Sequence, residues 1–328
     1  MSQQLFGPLV FWLFLFASIT SGTGTDLSVN ASAEACTTSS QRKISLSVVD
    51  KEGRSVDDLR PEDLTITENK ASCEILKLER RTNQPLSVAI LIDTSASQER
   101  TLGGTKLAAQ RFAQSILRSD KDRAALVSFT GEATIEQDLT NDLIRLRAAI
   151  DRVKFVPPPG YLLGGVVIGP TPPNNQMLAG ATAIWDAIWA TVDGIKPAAD
   201  SRRVIVLLTD GEDTISKTKL RDAIEHAAAN DVAVFSIGIA DSRYNEINRD
   251  SLKRLSEETG GRAFFPKKVA DLDGILSETA QALQSQYVLS YCAANQKPAR
   301  KPLKIEIELK NPQLRQSNLR LSYPHHVL

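Results

Sequence analysis

Two apolar runs, Leu86-Ser87-Val88-Ala89-Ile90-Leu91-Ile92 and Val204-Ile205-Val206-Leu207-Leu208, limit the folds open to this chain more than any other feature. Each is short, rich in β-branched residues and lacks a regular polar face, which is the pattern of a strand buried on both sides. Such strands belong to parallel sheets with helices packed on either face. The intervals supply those helices. Residues 106–117 carry an apolar stripe that includes Leu107, Ile116 and Leu117, and a second helix is expected at 141–152. Helices at 217–230, 250–258 and 270–284 then alternate with strands at 232–238 and 262–265. Residues 124–129 and 134–137 read as an edge hairpin. The expected class is α/β, a doubly wound, mostly parallel sheet spanning residues 85–285.

Both long runs end in an acid. Asp93-Thr94-Ser95-Ala96-Ser97 follows the first, and Thr209-Asp210-Gly211 follows the second. Ligands of parallel sheets bind outside the carboxyl ends of the strands, so Asp93 and Asp210 are expected on one rim. Asp93, Ser95 and Ser97 place oxygens at alternate positions where strand becomes loop. Hard divalent cations take oxygen ligands, and Mg²⁺ tolerates hydroxyls and water when carboxylates balance its charge. An open coordination position on such an ion attracts an acidic group from outside.

The Asp93–Ser97 stretch resembles the Asp-x-Ser-x-Ser start of the metal-ion-dependent adhesion site of von Willebrand factor A domains. Ala179-Gly180-Ala181-Thr182-Ala183-Ile184-Trp185-Asp186-Ala187 is similar to that family's second segment, and Thr209-Asp210-Gly211 to its third. The resemblance implies a metal site of Asp93, Ser95, Ser97, Thr182 and Asp210. It also implies Mg²⁺ as cofactor, with Mn²⁺ or Ca²⁺ as substitutes, and a protein partner that presents a carboxylate. Binding, not catalysis, is the role it implies. Ala96 departs from the glycine many relatives carry. Residues 48–53 and 59–69 look like the lead-in of a bacterial subgroup of secreted relatives.

Simpler readings stand beside these. Ser95 and Gln98 fit a Ser-x-x-Gln capping box, Thr182 could cap a helix over 183–190, and Asp210-Gly211 could be a plain turn. Enzymatic readings fail on named residues. The three histidines, His226, His325 and His326, lie on a predicted helix and on the tail, so a protease-type triad lacks its base. A haloacid-dehalogenase phosphatase needs an aspartate where Ser95 stands. Gly103-Gly104-Thr105-Lys106 lacks P-loop spacing, and no Gly-x-Ser-x-Gly elbow occurs.

The ends of the chain speak to location. Leu9-Val10-Phe11-Trp12-Leu13-Phe14-Leu15-Phe16-Ala17 is too short to span a membrane and suits an export signal over residues 1–25, although no Lys or Arg precedes it. The alternative is an uncleaved membrane anchor. A secreted, periplasmic or cell-envelope location follows from either. Lys plus Arg and Asp plus Glu both number 39, so no net field points to nucleic acid. Residues 26–42 read as a flexible leader. Of the three cysteines, Cys73 and Cys292 are the expected disulfide, since both fall in flanking β segments, with Cys36 as the alternative partner.

Strands are expected at 43–49, 64–69 and 74–79 before the central domain, and at 287–291, 303–309 and 319–323 after it. Neither set suffices for a stable sheet pair alone. The expectation is one small β-sandwich formed from residues 43–84 and 286–325 together. Between residues 157 and 173, Tyr161-Leu162-Leu163 and Val166-Val167-Ile168 flank Gly164-Gly165 as a small hairpin. This flap is expected near the metal rim and could contact a partner or pack on its own domain.

Overall fold

The run Leu86–Asp93 is buried along its whole length and bonds to a parallel strand on each side. Its side chains alternate between two cores. Val88, Ile90 and Ile92 enter one, while Ala89 and Leu91 enter the other. This arrangement comes from a computed structural model, which describes residues 36, 40–82, 84–117, 120–157, 161–162, 166–167, 180–197, 200–240, 246–294 and 302–327. The expected export signal, and most of the expected leader, lie outside those residues.

Along the chain, β1 (Gln41–Val49), β2 (Leu64–Glu68), β3 (Ala71–Cys73) and β4 (Ile75–Thr82) come first. The central part follows with β5 (Leu86–Asp93), α1 (Leu102–Ile116), β6 (Arg123–Phe129), β7 (Ala133–Thr140) and α2 (Leu143–Arg152). The flap contributes β8 (Tyr161–Leu162) and β9 (Val166–Val167), which pair antiparallel. Leu163 and Ile168, also assigned to the flap, lie outside the described residues. Next come α3 (Ile184–Gly194), β10 (Arg202–Thr209), α4 (Leu220–Ala229), β11 (Val232–Gly238), α5 (Arg249–Glu258), β12 (Ala263–Phe264) and α6 (Leu272–Gln284). The last elements are β13 (Ser285–Cys292), β14 (Leu303–Leu309), α7 (Pro312–Gln316), β15 (Arg320–Ser322) and β16 (His326–Val327).

The central sheet runs β12-β11-β10-β5-β6-β7, parallel except for the edge strand β7. Helices α1, α2 and α6 cover one face around Phe112, Ile116, Leu146 and Leu276. Helices α3, α4 and α5 cover the other around Ile184, Ile188, Ile224 and Leu252. α1 departs from its expected form. It begins at Leu102, so Gly103 and Gly104 are helical, and Leu107 is 57% exposed. The buried stripe is instead Leu102, Thr105, Ala108, Ala109, Phe112, Ala113 and Ile116, with the 3.6-residue period in a different phase.

The two flanks pair with each other. β15-β1-β13-β4 forms one sheet and β16-β14-β2-β3 the other, around Ile44, Leu46, Ile66, Leu289, Tyr291 and Ile307. β4 leads into the central domain and β13 leads out of it, and the two pair antiparallel with Thr82 opposite Ser285. The short elements β3, β16 and α7 have no counterpart among the expected elements.

The expected Cys73–Cys292 disulfide is corrected: Cys36 bonds to Cys292, and Cys73 is a free thiol. Strand register explains the choice. Gln41 sits opposite Cys292, and the Ala293 N–H donates to the Ser40 carbonyl. The chain ahead of β1 therefore runs beside Cys292, with Cys36 at a Cα separation of 5.9 Å. Cys73 lies in the other sheet opposite Ile66. Cys36→Ser should cost about 3 kcal/mol of unfolding free energy, and reduction of the wild type should cost the same. Urea unfolding with and without dithiothreitol checks this, and an unchanged midpoint in both would contradict it.

Candidate metal centre

β5 and β10 are adjacent and parallel, so their carboxyl ends deliver Asp93 and Asp210 to one rim. Both carboxylates are 1% exposed. Asp93 Oδ1 accepts the Ser95 N–H at 2.9 Å, which turns the chain back over the strand end. Asp93 Oδ2 accepts the Thr209 hydroxyl at 2.6 Å. The Thr94 hydroxyl and N–H both donate to the Phe129 carbonyl, at 3.0 and 2.8 Å, and tie this loop to β6. That leaves Ser95 and Ser97 on the site side, their hydroxyl oxygens 3.2 Å apart.

The capping box does not form. Ser95 stands before the short 3-10 turn Ala96–Gln98 without a side-chain cap bond. Gln98 is buried, and its amide nitrogen donates to Asp210 Oδ2 at 3.1 Å and to the Ser97 hydroxyl at 3.2 Å. Its amide oxygen accepts the Thr101 hydroxyl at 2.8 Å, which fixes the amide orientation. Asp210 Oδ1 accepts the Glu212 N–H at 3.1 Å, so one oxygen of each loop acid is anchored by its own backbone. Gly211 has φ +85°, and a Cβ there would lie 2.8 Å from Leu252 Cγ and 3.0 Å from the Asn248 carbonyl. The turn reading of Asp210-Gly211 thus holds alongside the carboxylate's place on the rim.

Thr182 is buried and is drawn in by backbone bonds from both neighbouring loops. The Ala96 N–H donates to the Gly180 carbonyl at 3.2 Å, and the Thr214 N–H donates to the Thr182 carbonyl at 2.8 Å. Thr182 does not cap α3. The amino end of that helix is capped from the Asp210 loop, where Asp213 Oδ1 accepts the Ile184 N–H at 2.8 Å and the Ser216 hydroxyl accepts the Trp185 N–H at 3.1 Å. Ser95, Ser97 and Gln98 therefore connect Asp93 and Asp210 directly, while Thr182 joins them through loop backbone.

The electrostatics are unbalanced. Burial first, and then the negative charge of Asp210, pushes the Asp93 carboxyl up to about 7. Burial likewise pushes Asp210 above the usual carboxylate range. The main influences on Asp93 are burial, Asp210, Ser95 and Thr209, none of them a cation. Two buried acids that repel each other beside hydroxyl oxygens favour a hard divalent cation. Among the described residues no three His, Cys, Asp or Glu side chains cluster, so hydroxyls and water must complete any coordination sphere. The donor set fits an oxygen-seeking ion.

Sequence reasoning did not single out Thr209 as a positioning group, nor Gln98 beyond its capping role. A hydroxyl immediately before the second acid was the available signal for Thr209.

The sequence matches the von Willebrand factor type A domain family twice, over residues 88–212 and over residues 174–278. No curated protein matches the chain. Solved structures with similarity include BatB from Bacteroides thetaiotaomicron, 18% identical, covering 60% of this chain and 98% of its own, with a TM-score of 0.44. A von Willebrand factor type A protein from Catenulispora acidiphila is 14% identical over 87% of this chain and 73% of its own, with a TM-score of 0.48. Proximal thread matrix protein 1 from the mussel byssus, with a zinc-occupied MIDAS motif, is 13% identical over 62% of this chain and 49% of its own, with a TM-score of 0.47. At these scores the structural likenesses carry no functional weight.

Proposed function

The chain belongs to the von Willebrand factor type A domain family, and from that we propose that its carboxyl-edge site docks a protein partner through a divalent cation. The observation that supports this most is the pair of buried, mutually repelling carboxylates, Asp93 and Asp210, without an ion-pair partner among the described residues. Asp93 and Asp210 would balance the ion's charge, and Ser95, Ser97 and Thr182 would supply neutral oxygens. Mg²⁺ suits this set, and Mn²⁺ or Ca²⁺ share its preference for oxygen. A bound divalent cation would offer an electrophilic position to a partner's carboxylate. Thr209 and Gln98 are positioning residues, each holding one carboxylate oxygen while the Ser95 and Glu212 N–H groups hold the other, and the second lone pair of each oxygen would serve the ion.

We assign no catalytic group. His226 stacks on Trp189 and bonds to Asp193 at 2.7 Å on the helical flank, His325 lies against Tyr323, and His326 faces Glu258, so none of the three serves the site as a base. Export belongs to the same proposal. A disulfide between Cys36 and Cys292 supports it, because such bonds persist in oxidising compartments. Among the described residues no helix is long and apolar enough to cross a membrane. Membrane contact is proposed only through an uncleaved amino-terminal segment.

A second reading, a structural envelope component whose ion only stabilises the fold, is favoured by the same buried charge, since neutralising it would itself strengthen the domain. Pull-down from envelope extracts separates the two. Wild type should capture its partner with Mg²⁺ and lose it in EDTA while remaining folded, and Asp93→Ala should capture none under either condition. Capture that survives both EDTA and Asp93→Ala would sink the docking reading. A large fall in melting temperature in EDTA, with no cation-dependent partner, would leave the structural one.

A further inference from the structure

The opposite rim of the central sheet holds a second feature, independent of the metal site. A cavity of about 360 Å³ lies between the amino-terminal edge of the sheet and the flanking sandwich. Lys43, Ser45 and Gln286 line it from the sandwich, and Arg202, Arg203 and Asp231 line it from the central domain. Arg202 opens β10 and Asp210 follows that strand's end. At about 3.3 Å per residue the two sites stand roughly 25 Å apart.

Arg202 makes this cavity unusual. It is 7% exposed, and its guanidinium carries no carboxylate partner among the described residues. Nη1 donates to the carbonyls of Ala282 and Leu283, at 3.2 and 2.9 Å, and so caps the end of α6. A helix terminus offsets only about half a charge. Nε is buried with no hydrogen-bond acceptor among the described residues. A buried donor left unmet costs about 1–3 kcal/mol, more when charged, and natural proteins seldom leave one so. Asp231 does not answer it, because the cation acting on Asp231 is Arg203. With Lys43 exposed on the rim, the described lining holds three cations against one acid.

We propose that this cavity binds a small organic anion whose carboxylate or phosphate oxygens face Arg202. The guanidinium fork suits such oxygens, and the volume falls in the range of small-ligand sites, roughly 300–1,000 Å³. Because residues from both halves line the cavity, the ligand would also fasten the sandwich to the central domain.

The test uses the full chain in EDTA, so that the carboxyl-edge site contributes no cation-dependent binding. Calorimetry and thermal melting with inorganic phosphate, succinate and the uncharged analogue 1,4-butanediol form its arms. Saturable binding of phosphate or succinate, with a raised melting temperature and no response to the diol, is expected. Whichever anion binds more tightly names the group recognised. Arg202→Gln should weaken the anion at least about tenfold, as befits a lost charge-assisted hydrogen bond. Lys43→Glu, an exposed rim change that leaves the fold alone, should weaken it severalfold and carries the test should Arg202→Gln not fold. Absence of anion binding to wild type overturns the proposal, as does equal affinity in wild type and Lys43→Glu, or a response to the diol equal to that to succinate.

Discussion

Asp93→Asn should stabilise the cation-free protein and abolish its response to Mg²⁺. The folded carboxyl is pushed from its ordinary 3.8 up to about 7 by burial and by Asp210. In the unfolded chain it ionises near its ordinary value, so between those limits the folded state retains a proton that the unfolded state has released. Stability is therefore undiminished below about pH 4, declines as pH rises towards 7, and above that has lost on the order of 4 kcal/mol. Asparagine removes the titration and keeps a side-chain oxygen for the Thr209 hydroxyl, while its amide nitrogen then faces the Ser95 N–H and costs about 1–3 kcal/mol of that gain. In EDTA at pH 8 the variant should melt above wild type, and at pH 4, where no charge is relieved, it should melt somewhat below it. Excess Mg²⁺ should raise the wild-type melting temperature by mass action and leave the variant unmoved. Thermal melts across pH, with EDTA or Mg²⁺, check all of this. A cation-free wild type that gains stability between pH 5 and pH 8 would show that the two acids are not held as described.

Gly261→Ala should abolish folding. Gly261 lies in the turn between α5 and β12, where its backbone rests on β11. A Cβ there would sit 2.0 Å from the Val234 carbonyl oxygen and 2.6 Å from its carbon. Both obstacles are backbone in a central strand and have no freedom to withdraw. The expected loss exceeds about 4 kcal/mol, which places it among the rare severe substitutions. Gly274→Ala is the matched contrast: it lies in α6 with nothing within 4 Å of its new methyl and should gain roughly 0.5–1 kcal/mol. Denaturant unfolding of the soluble fraction measures both. A Gly261→Ala protein with a wild-type midpoint would mean that this turn packs elsewhere.

Local pattern carried the strands and much of the site into view. Asp93 and Asp210 were legible because each ends a short, β-branched apolar run without a polar face, the pattern of a doubly covered strand, and a parallel sheet leaves such ends on one rim. Gln98 was not legible. Its spacing from Ser95 satisfies a local capping rule, whereas its side chain goes to Asp210, 112 residues away. The start of α1 was obscured for the opposite reason. Gly103-Gly104 has poor helix propensity, yet the burial of Leu102 and Thr105 draws that stretch into the helix. The disulfide turned on a register between β1 and β13 that cysteine spacing does not encode. β3 and β16 are too short to show any period.

The antiparallel zip of β4 against β13 has a mechanical consequence. The segment 86–284 leaves and rejoins the sandwich at neighbouring points, Thr82 beside Ser285, like a loop closed at its neck. Tension applied between the two ends crosses from Cys36 to Cys292 through their disulfide, so it loads neither that seam nor the closed loop while the bond is intact. With that bond reduced, the same load falls first on the β1–β13 pairing, where Gln41 sits opposite Cys292, and it reaches the Asp93 rim only after the β4–β13 seam has also opened.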